Sequence, residues 1–490
     1  MLVKRDVVLV VLCGIGGLSA AVQDWPMWGG TAERNMTSAV TGLPELWNPK
    51  DGTNIKWKAE IGSTSNGNPV VADGKIFLGT NNGNPRNPGI TGDKGVLMCF
   101  RESDGQFLWQ AVTDKLESGA GSDWPEEGVC SSPAVEGKRL YYVSNRGEVV
   151  CLDTEGFMDG KNDGPFQDEG YKGPTDADII WKLDMRKELG VSQLFMANSS
   201  PAIWEDLVFV LTSNGRDSNG ETVPAPKAPS FIAVNKKTGK VVWQDDSPGG
   251  GILHGQWASP ALGLVGGVRQ VFFPGGDGWL YGFNARTGER LWTFDLNPKD
   301  AVWPKTRNYG VSTPVFSGGR VFMSVGQDPD NSYGAGHAYS INPEQRGDIT
   351  ETGRVWQYDK IKRSISSAAV ADGLVYISDL DGILHCLEAN TGKPRWTFDM
   401  MAPVWGSPLV ADGKVYLGDE DGDVAVLEAA SEIKKIAEID MGDAVHSTPV
   451  PANGVLYVMT QSRLYAIAAP GAGRSGPTPI HPVRGPVSPE

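Results

Sequence analysis

Cysteine is scarce in this chain, 5 in 490 residues, with no C-x-x-C pair, no two cysteines adjacent and no C-x-x-C-H run, which excludes a covalently attached haem. Histidine is as sparse, at positions 254, 337, 385, 446 and 481, and no H-E-x-x-H pair occurs, so no zinc site is expected. Neither G-x-S-x-G nor a phosphate-binding loop stands in a strand-to-helix context. Charged residues make up only 21% of the chain, and the repeated segments lack the 3.6-residue periodicity of helices; bundles and coiled coils are excluded. Basic residues are outnumbered 44 to 59, and a net charge of −15 repels nucleic acid and anionic lipid.

Long apolar runs are also missing, apart from Val7 to Leu18. Its 12 residues fall short of the roughly 20 needed to span a bilayer. Lys4 and Arg5 precede it and Ser19, Ala20 and Ala21 follow, so residues 1–21 read as a secretory signal and the protein as exported, periplasmic or extracellular, without a membrane span. Leu12 is bulky for lipid attachment at Cys13. Residues 470–490, with six prolines and four glycines, read as a disordered tail.

What the chain has in abundance is glycine, 63 residues, and one repeated unit. Segments of the form S-x-P-V-V-x-D-G-x-V-Y start eight times, with the proline position at 69, 133, 201, 260, 314, 368, 408 and 449. The last intervals are 40 and 41 residues, so the earlier copies carry insertions. In the sixth copy, turns at Asp372-Gly373, Asp381-Gly382 and Thr391-Gly392 separate four short apolar segments. Four antiparallel strands per unit of about 40 residues, repeated eight times, predict an all-β, eight-bladed β-propeller over residues 54–469, after a lead-in segment at 22–53.

Each fourth strand closes on a tryptophan: Trp109, Trp181, Trp243, Trp292, Trp356 and Trp396, with Ile436 standing in once. The eighth copy stops without a fourth strand, and Asn54 to Lys58, with Trp57, is expected to complete that last blade. Alignment on the third strand brings Cys99, Cys151, Ala233, Gly282, Ala338, Cys386, Ala425 and Ala466 to one small, buried position, so these cysteines read as packing residues. The run Asp419 to Asp423 resembles a calcium loop but lacks its distal glutamate and aligns with a hairpin turn.

Residues just before the first strands should rim a central funnel. There the chain places Trp124, Glu126, Glu127, Cys130, Asn198, His254, Gln256, Trp257, Arg307, Asn308, Tyr309, Lys362, Arg363, Trp405 and His446. Converging aromatic and polar groups at a concave centre suit a small polar ligand. Of these, Glu127, Asn198, His254, Trp257, Arg307, Asn308, Arg363, Trp405 and His446 are the candidate ligand-binding set. No catalytic set emerges.

Asn284-Ala285-Arg286-Thr287-Gly288-Glu289-Arg290-Leu291-Trp292, repeated at Val234–Trp243 and Leu387–Trp396, resembles the tryptophan-docking motif of the quinoprotein alcohol dehydrogenase-like propellers, or PQQ-like repeats. Asp24-Trp25-Pro26-Met27-Trp28-Gly29-Gly30 through Arg34-Asn35 is similar to the start of those chains. The resemblance spans roughly residues 24–469 and implies two different roles, since the same repeats serve enzymes and accessory proteins. For the dehydrogenases it implies pyrroloquinoline quinone (PQQ) between a tryptophan and adjacent disulfide-bonded cysteines, a calcium ion on Glu, Asn and Asp, an aspartate base and, here, a separate electron acceptor. Glu127 and Asn198 would hold the calcium, Trp257 or Trp405 would face the quinone, and Arg307 or Arg363 would offset its carboxylates. The adjacent cysteine pair is lacking, because Ser131 follows Cys130. For BamB-type accessory propellers the resemblance implies a protein partner gripped by exposed loops and no catalytic set. A carbohydrate binder would use Trp124, Trp257 and Trp405 as stacking platforms.

Overall fold

Asp-Gly and Asn-Gly pairs make the first hairpin turn of four of the blades. Asp73-Gly74, Asp372-Gly373, Asp412-Gly413 and Asn453-Gly454 all adopt positive φ at both positions, the geometry of a two-residue hairpin whose twist matches that of the flanking strands. In the sixth copy such a turn joins Ala369–Ala371 to Leu374–Ser378, and Ile383–Glu388 and Pro394–Asp399 follow as antiparallel neighbours. The computed structural model describes residues 23–469 except 118 and 329–333. The expected signal and tail lie outside the described residues. Eight such four-stranded sheets form a ring, an eight-bladed β-propeller, with a single short α-helix, Met185–Leu189, among the described residues.

The ring closes through the chain's own start. Ile55–Glu60 pairs antiparallel with Arg463–Ile467 and completes blade 8, setting Trp57 opposite Ala466. Trp57 Nε1 donates to Glu102 O of blade 1 at 2.9 Å. The same handshake recurs around the ring: Trp109 to Thr154 O, Trp181 to Lys236 O, Trp243 to Ala285 O, Trp356 to Ala389 O and Trp396 to Ala430 O, always on the following blade. Trp292 instead donates to Gln270 within its own blade. The strand that carries each tryptophan bulges just before it, so the indole faces a small third-strand residue.

Two of the expected registers shift. Trp356 stands opposite Ser340 rather than Ala338, and in blade 7 the equivalent pair is Val426 with Ala437, not Ala425 with Ile436. Blade 7 thus pairs a small outer residue, Ala437, with a larger inner one, Val426. The four described cysteines are free and buried. Asp419 to Gly422 is the hairpin turn between Lys414–Gly418 and Asp423–Glu428.

The turn holds a buried charge. Asp419 Oδ1 accepts from Gly422 N and Asp423 N, while its buried Oδ2 has no partner, and burial pushes the carboxyl up to about 6. Its stabilising contribution is complete below the unfolded carboxyl range and is lost as pH rises through about 6. Asp419→Asn is therefore expected to gain about 1 kcal/mol on wild type at pH 8 and nothing at pH 4, read from urea midpoints. An equal shift at both pH values would refute the assignment.

The lead-in is the largest departure from expectation. Residues 23–38 do not merely approach the ring but run once round the inside of its closed end, touching every blade in turn. Asn453 N of blade 8 donates to Gln23 O, and Trp25 pairs with Val71 of blade 1. Val135 N of blade 2 donates to Pro26 O, Leu262 N of blade 4 to Ala32 O and Phe316 N of blade 5 to Glu33 O. Val370 N of blade 6 donates to Asn35 Oδ1 at 2.8 Å, and Thr37–Ser38 lies parallel to Val410 and Ala411 of blade 7. Arg34 anchors the circuit: it is 0% exposed, and its guanidinium donates to Trp28 O, Ser200 O, Pro201 O and Pro260 O at 2.7–2.9 Å. Burial pulls it down to about 9, so it remains charged at neutral pH. Gly29, at φ +71°, makes room for this turn, because a Cβ there would lie 2.6 Å from Arg34 Cα. Beyond it, Trp47 is buried with its Nε1 3.1 Å from Met441 Sδ on blade 7, the blade without an outer tryptophan.

Candidate functional site

Because alternate residues of an extended chain face the same way, the approach to each first strand offers two inward positions, three residues and one residue before the proline position. The position nearer the proline builds a scaffold. Its backbone N–H donates to the side chain at the same position of the next blade: Ser367 to Ser407, Ser407 to Thr448, Thr448 to Asn68, Asn68 to Ser132, Ser132 to Ser200 and Ser200 to Ser259. This arc runs unbroken from blade 6 through blades 8 and 1 to blade 4.

The other position varies. Asn66, Cys130, Asn198, Trp257, Val311, Ile365, Trp405 and His446 occupy it in the eight copies, and all of them line one central cavity of about 600 Å³. Trp28, from the lead-in, also lines this cavity, which connects the belt at the closed end to the funnel. A hydrogen-bonded arc of small polar residues beneath a varied ring separates framework from recognition.

One wall, on blades 7, 8, 1 and 2, is a polar relay. Trp405 stacks on His446, with ring centroids 4.6 Å apart and planes at 7°. His446 Nδ1 lies 3.1 Å from Asn66 Oδ1, which also accepts from Gln461 Nε2 at 3.2 Å, and Asn66 Nδ2 donates to the Glu127 carboxylate. With Asn66 accepting at Nδ1, the imidazole carries its proton there and Nε2 is an acceptor; that buried atom has no partner. Burial lowers His446 despite Glu420 and Asp443 nearby, so the ring is neutral. Burial also raises Glu127 against the pull of Lys115 and Asn66. Cys130 is held as a thiol, pushed upward by burial and by Glu127, which makes it inert as a nucleophile.

The facing wall is aromatic. Trp124 meets Phe195 edge-on at 4.7 Å, Phe195 stacks near Trp257 at 6.2 Å, and His254 lies 5.4 Å from Trp257 and 5.8 Å from Tyr309. Phe195 holds φ +60°, costly for a non-glycine residue, and its carbonyl accepts from Trp124 N at 2.7 Å. Trp257 Nε1 donates to Leu194 O, and Asp328 accepts from Tyr309 Oη at 3.0 Å with His254 Nε2 3.6 Å away. Across the cavity, Asn198 Oδ1 is a second buried acceptor without a partner.

Of the nine residues expected to bind, Glu127, Asn198, His254, Trp257, Trp405 and His446 line the cavity, while Arg307, Asn308 and Arg363 do not. Arg307 turns back to Asp295 and to Asp277 O. Asn308 is fully buried between Asn297 and Ala335. Arg363 donates to Asn308 Oδ1 and to the carbonyls of Pro304 and Lys305. Among the lining residues that went unread are Asn66, Val311 and Ile365, whose place three before the proline position marks them; Phe195 and Asp328, which come from long connections; and Trp28, from the lead-in.

The donor set does not suit the calcium and quinone of the PQQ dehydrogenases. Among the described residues no group of three His, Cys, Asp or Glu side chains could hold a metal ion, and no lysine or arginine lines the cavity. Two carboxylates and two orphan acceptors would face a multiply anionic cofactor that itself only accepts at its carboxylates.

A family model described as outer membrane protein assembly factor BamB matches residues 173–329 and 347–467, more than half of the chain. None of the curated proteins matches. Among solved structures, BamB from Moraxella catarrhalis is similar at 15% identity and a TM-score of 0.54, covering 85% of this chain and 98% of its own. A europium-containing methanol dehydrogenase is similar at 12% identity and TM-score 0.63, covering 91% and 98%. The quinohemoprotein alcohol dehydrogenase of Comamonas testosteroni follows at 12% and 0.50, covering 94% and 83%. At these identities the likeness is one of fold. No described helix is long and apolar enough to cross a membrane.

Proposed function

Since the chain belongs to the family of the outer membrane protein assembly factor BamB, we propose that it works by binding rather than by catalysis, as an exported propeller whose funnel holds a small polar ligand. The observation that carries this reading is the two-tier cavity: a hydrogen-bonded arc of small polar residues below, and above it a varied ring that includes two indoles, an imidazole and two carboxamides. Its volume of about 600 Å³ is that of a small-molecule site. Export is supported by the Lys4-to-Ala21 pattern. The protein-partner role of the family would fall to loops outside the funnel, such as 82–93 and 212–230, which join second to third strands in blades 1 and 3.

A thermal-shift survey of the mature protein tests the reading, using sugars, polyols, amines and carboxylates, and PQQ with and without calcium. At least one neutral or amine class at about 10 mM should raise the melting temperature, and Trp405→Ala should abolish the rise. No shift in any class would sink it. Saturable, calcium-dependent PQQ binding with alcohol-dependent dye reduction would replace it with a dehydrogenase.

A further inference from the structure

Resting on that reading, we infer that the ligand is a neutral polyhydroxylated ring, a carbohydrate, laid against the funnel's indoles with its hydroxyls on Asn198 and His446. Three observations select this class.

The first is the pairing of apolar and polar surfaces. Four tryptophans, Trp28, Trp124, Trp257 and Trp405, line a single cavity together with Asn66, Asn198 and Gln461. A pyranose offers the complement: a C–H face that packs on an indole and an equator of hydroxyls that meets planar amides.

The second is the state of the orphan atoms. Asn198 Oδ1 and His446 Nε2 are buried acceptors without partners, and leaving such groups unpaired costs about 1–3 kcal/mol each. A hydroxyl donates to either while accepting from a neighbour. A carboxylate cannot donate at all.

The third is charge. Glu127 and Asp328 are already engaged, by Asn66 and by Tyr309. Beneath the floor, Arg34 is a buried cation whose four hydrogen bonds go to carbonyls, one of them that of the floor residue Trp28. An anion meets the two carboxylates, so the charge of the lining disfavours anionic ligands, and the cationic controls below separate a neutral ligand from a cation.

Calorimetric titration of the full mature protein decides the matter, with glucose, N-acetylglucosamine and cellobiose as sugars, and putrescine, choline and citrate as charged controls. At least one sugar should bind saturably. Trp405→Ala and His446→Phe should each weaken it about tenfold or more, the second while keeping the ring stack, and both variants should keep the wild-type circular dichroism spectrum. Funnel-dependent binding of putrescine, choline or citrate without any sugar would overturn the carbohydrate inference and leave the binding reading standing. Sugar binding undiminished in both variants would move the site out of the funnel and overturn it too. No heat from any of the six compounds would count against both readings.

Discussion

Arg34→Met is expected to destabilise the propeller by about 4 kcal/mol, a loss that should appear as a lower urea midpoint without a change of fold. The residue is wholly buried and its guanidinium serves four carbonyls drawn from the lead-in and from blades 3 and 4. Methionine fills much of the volume and supplies no donor, so three buried acceptors and one part-buried one lose their partner at once. Arg34→Lys keeps the charge, but a single ammonium cannot span carbonyls in three segments; it should recover less than half of the loss. A midpoint unchanged in Arg34→Met would mean that the lead-in is not anchored as described. If both variants lost the same amount, the charge rather than the fork of donors would be ruled out as the anchor.

Two truncations separate the two tasks of the chain's beginning. A chain starting at Asn54 keeps Ile55–Glu60, and hence the blade 8 closure, but loses the circuit of contacts with all eight blades. It should fold, melt lower, and no longer hold a ligand in a funnel open at both ends. A chain starting at Ile61 also loses Trp57, its bond to Glu102 O and its packing on Tyr457. Removal of a packed tryptophan alone costs about 3–5 kcal/mol, and here a whole strand of pairing goes with it. That chain should yield no monomeric folded protein, only aggregated or strand-exchanged species visible by size-exclusion chromatography. Equal melting temperatures for both truncations and the full chain would refute closure by the N-terminal strand.

The repeat, the closing strand and the docking tryptophans were legible because each signal recurs around the ring, and a periodic pattern corrects local noise. Registers slipped where that ruler was missing. Blade 5 carries an insertion whose Gly347–Asp348 pairs instead with the edge of blade 4, and blade 7 has no tryptophan to count from. The funnel was readable at one position per blade, three residues before the proline. Asn198, Trp257, Trp405 and His446 stand there, as do Asn66, Val311 and Ile365, which were passed over because their types look ordinary. Arg307, Asn308 and Arg363 looked more chemical and proved to be wall supports; a long cation beside a carboxylate and free carbonyls folds back on them. Phe195 and Asp328 sit in irregular connections, where no periodicity says which way a side chain points. The Asp24–Asn35 motif was visible only as a likeness, since an irregular strap touching eight separate blades leaves no repeating trace.

That strap also dictates a timetable. Its residues precede all eight blades in the chain, yet Gln23 waits for Asn453 and Ile55–Glu60 waits for Arg463–Ile467, in the last blade of the ring. The segment before the first blade is thus among the last to settle, and contacts of such sequence separation form slowly. Until the final blade emerges, the closing strand and the apolar face of Trp57 stand without partners, an edge open to other chains. A propeller built this way cannot close until its eighth blade is available to receive the strand that precedes the first.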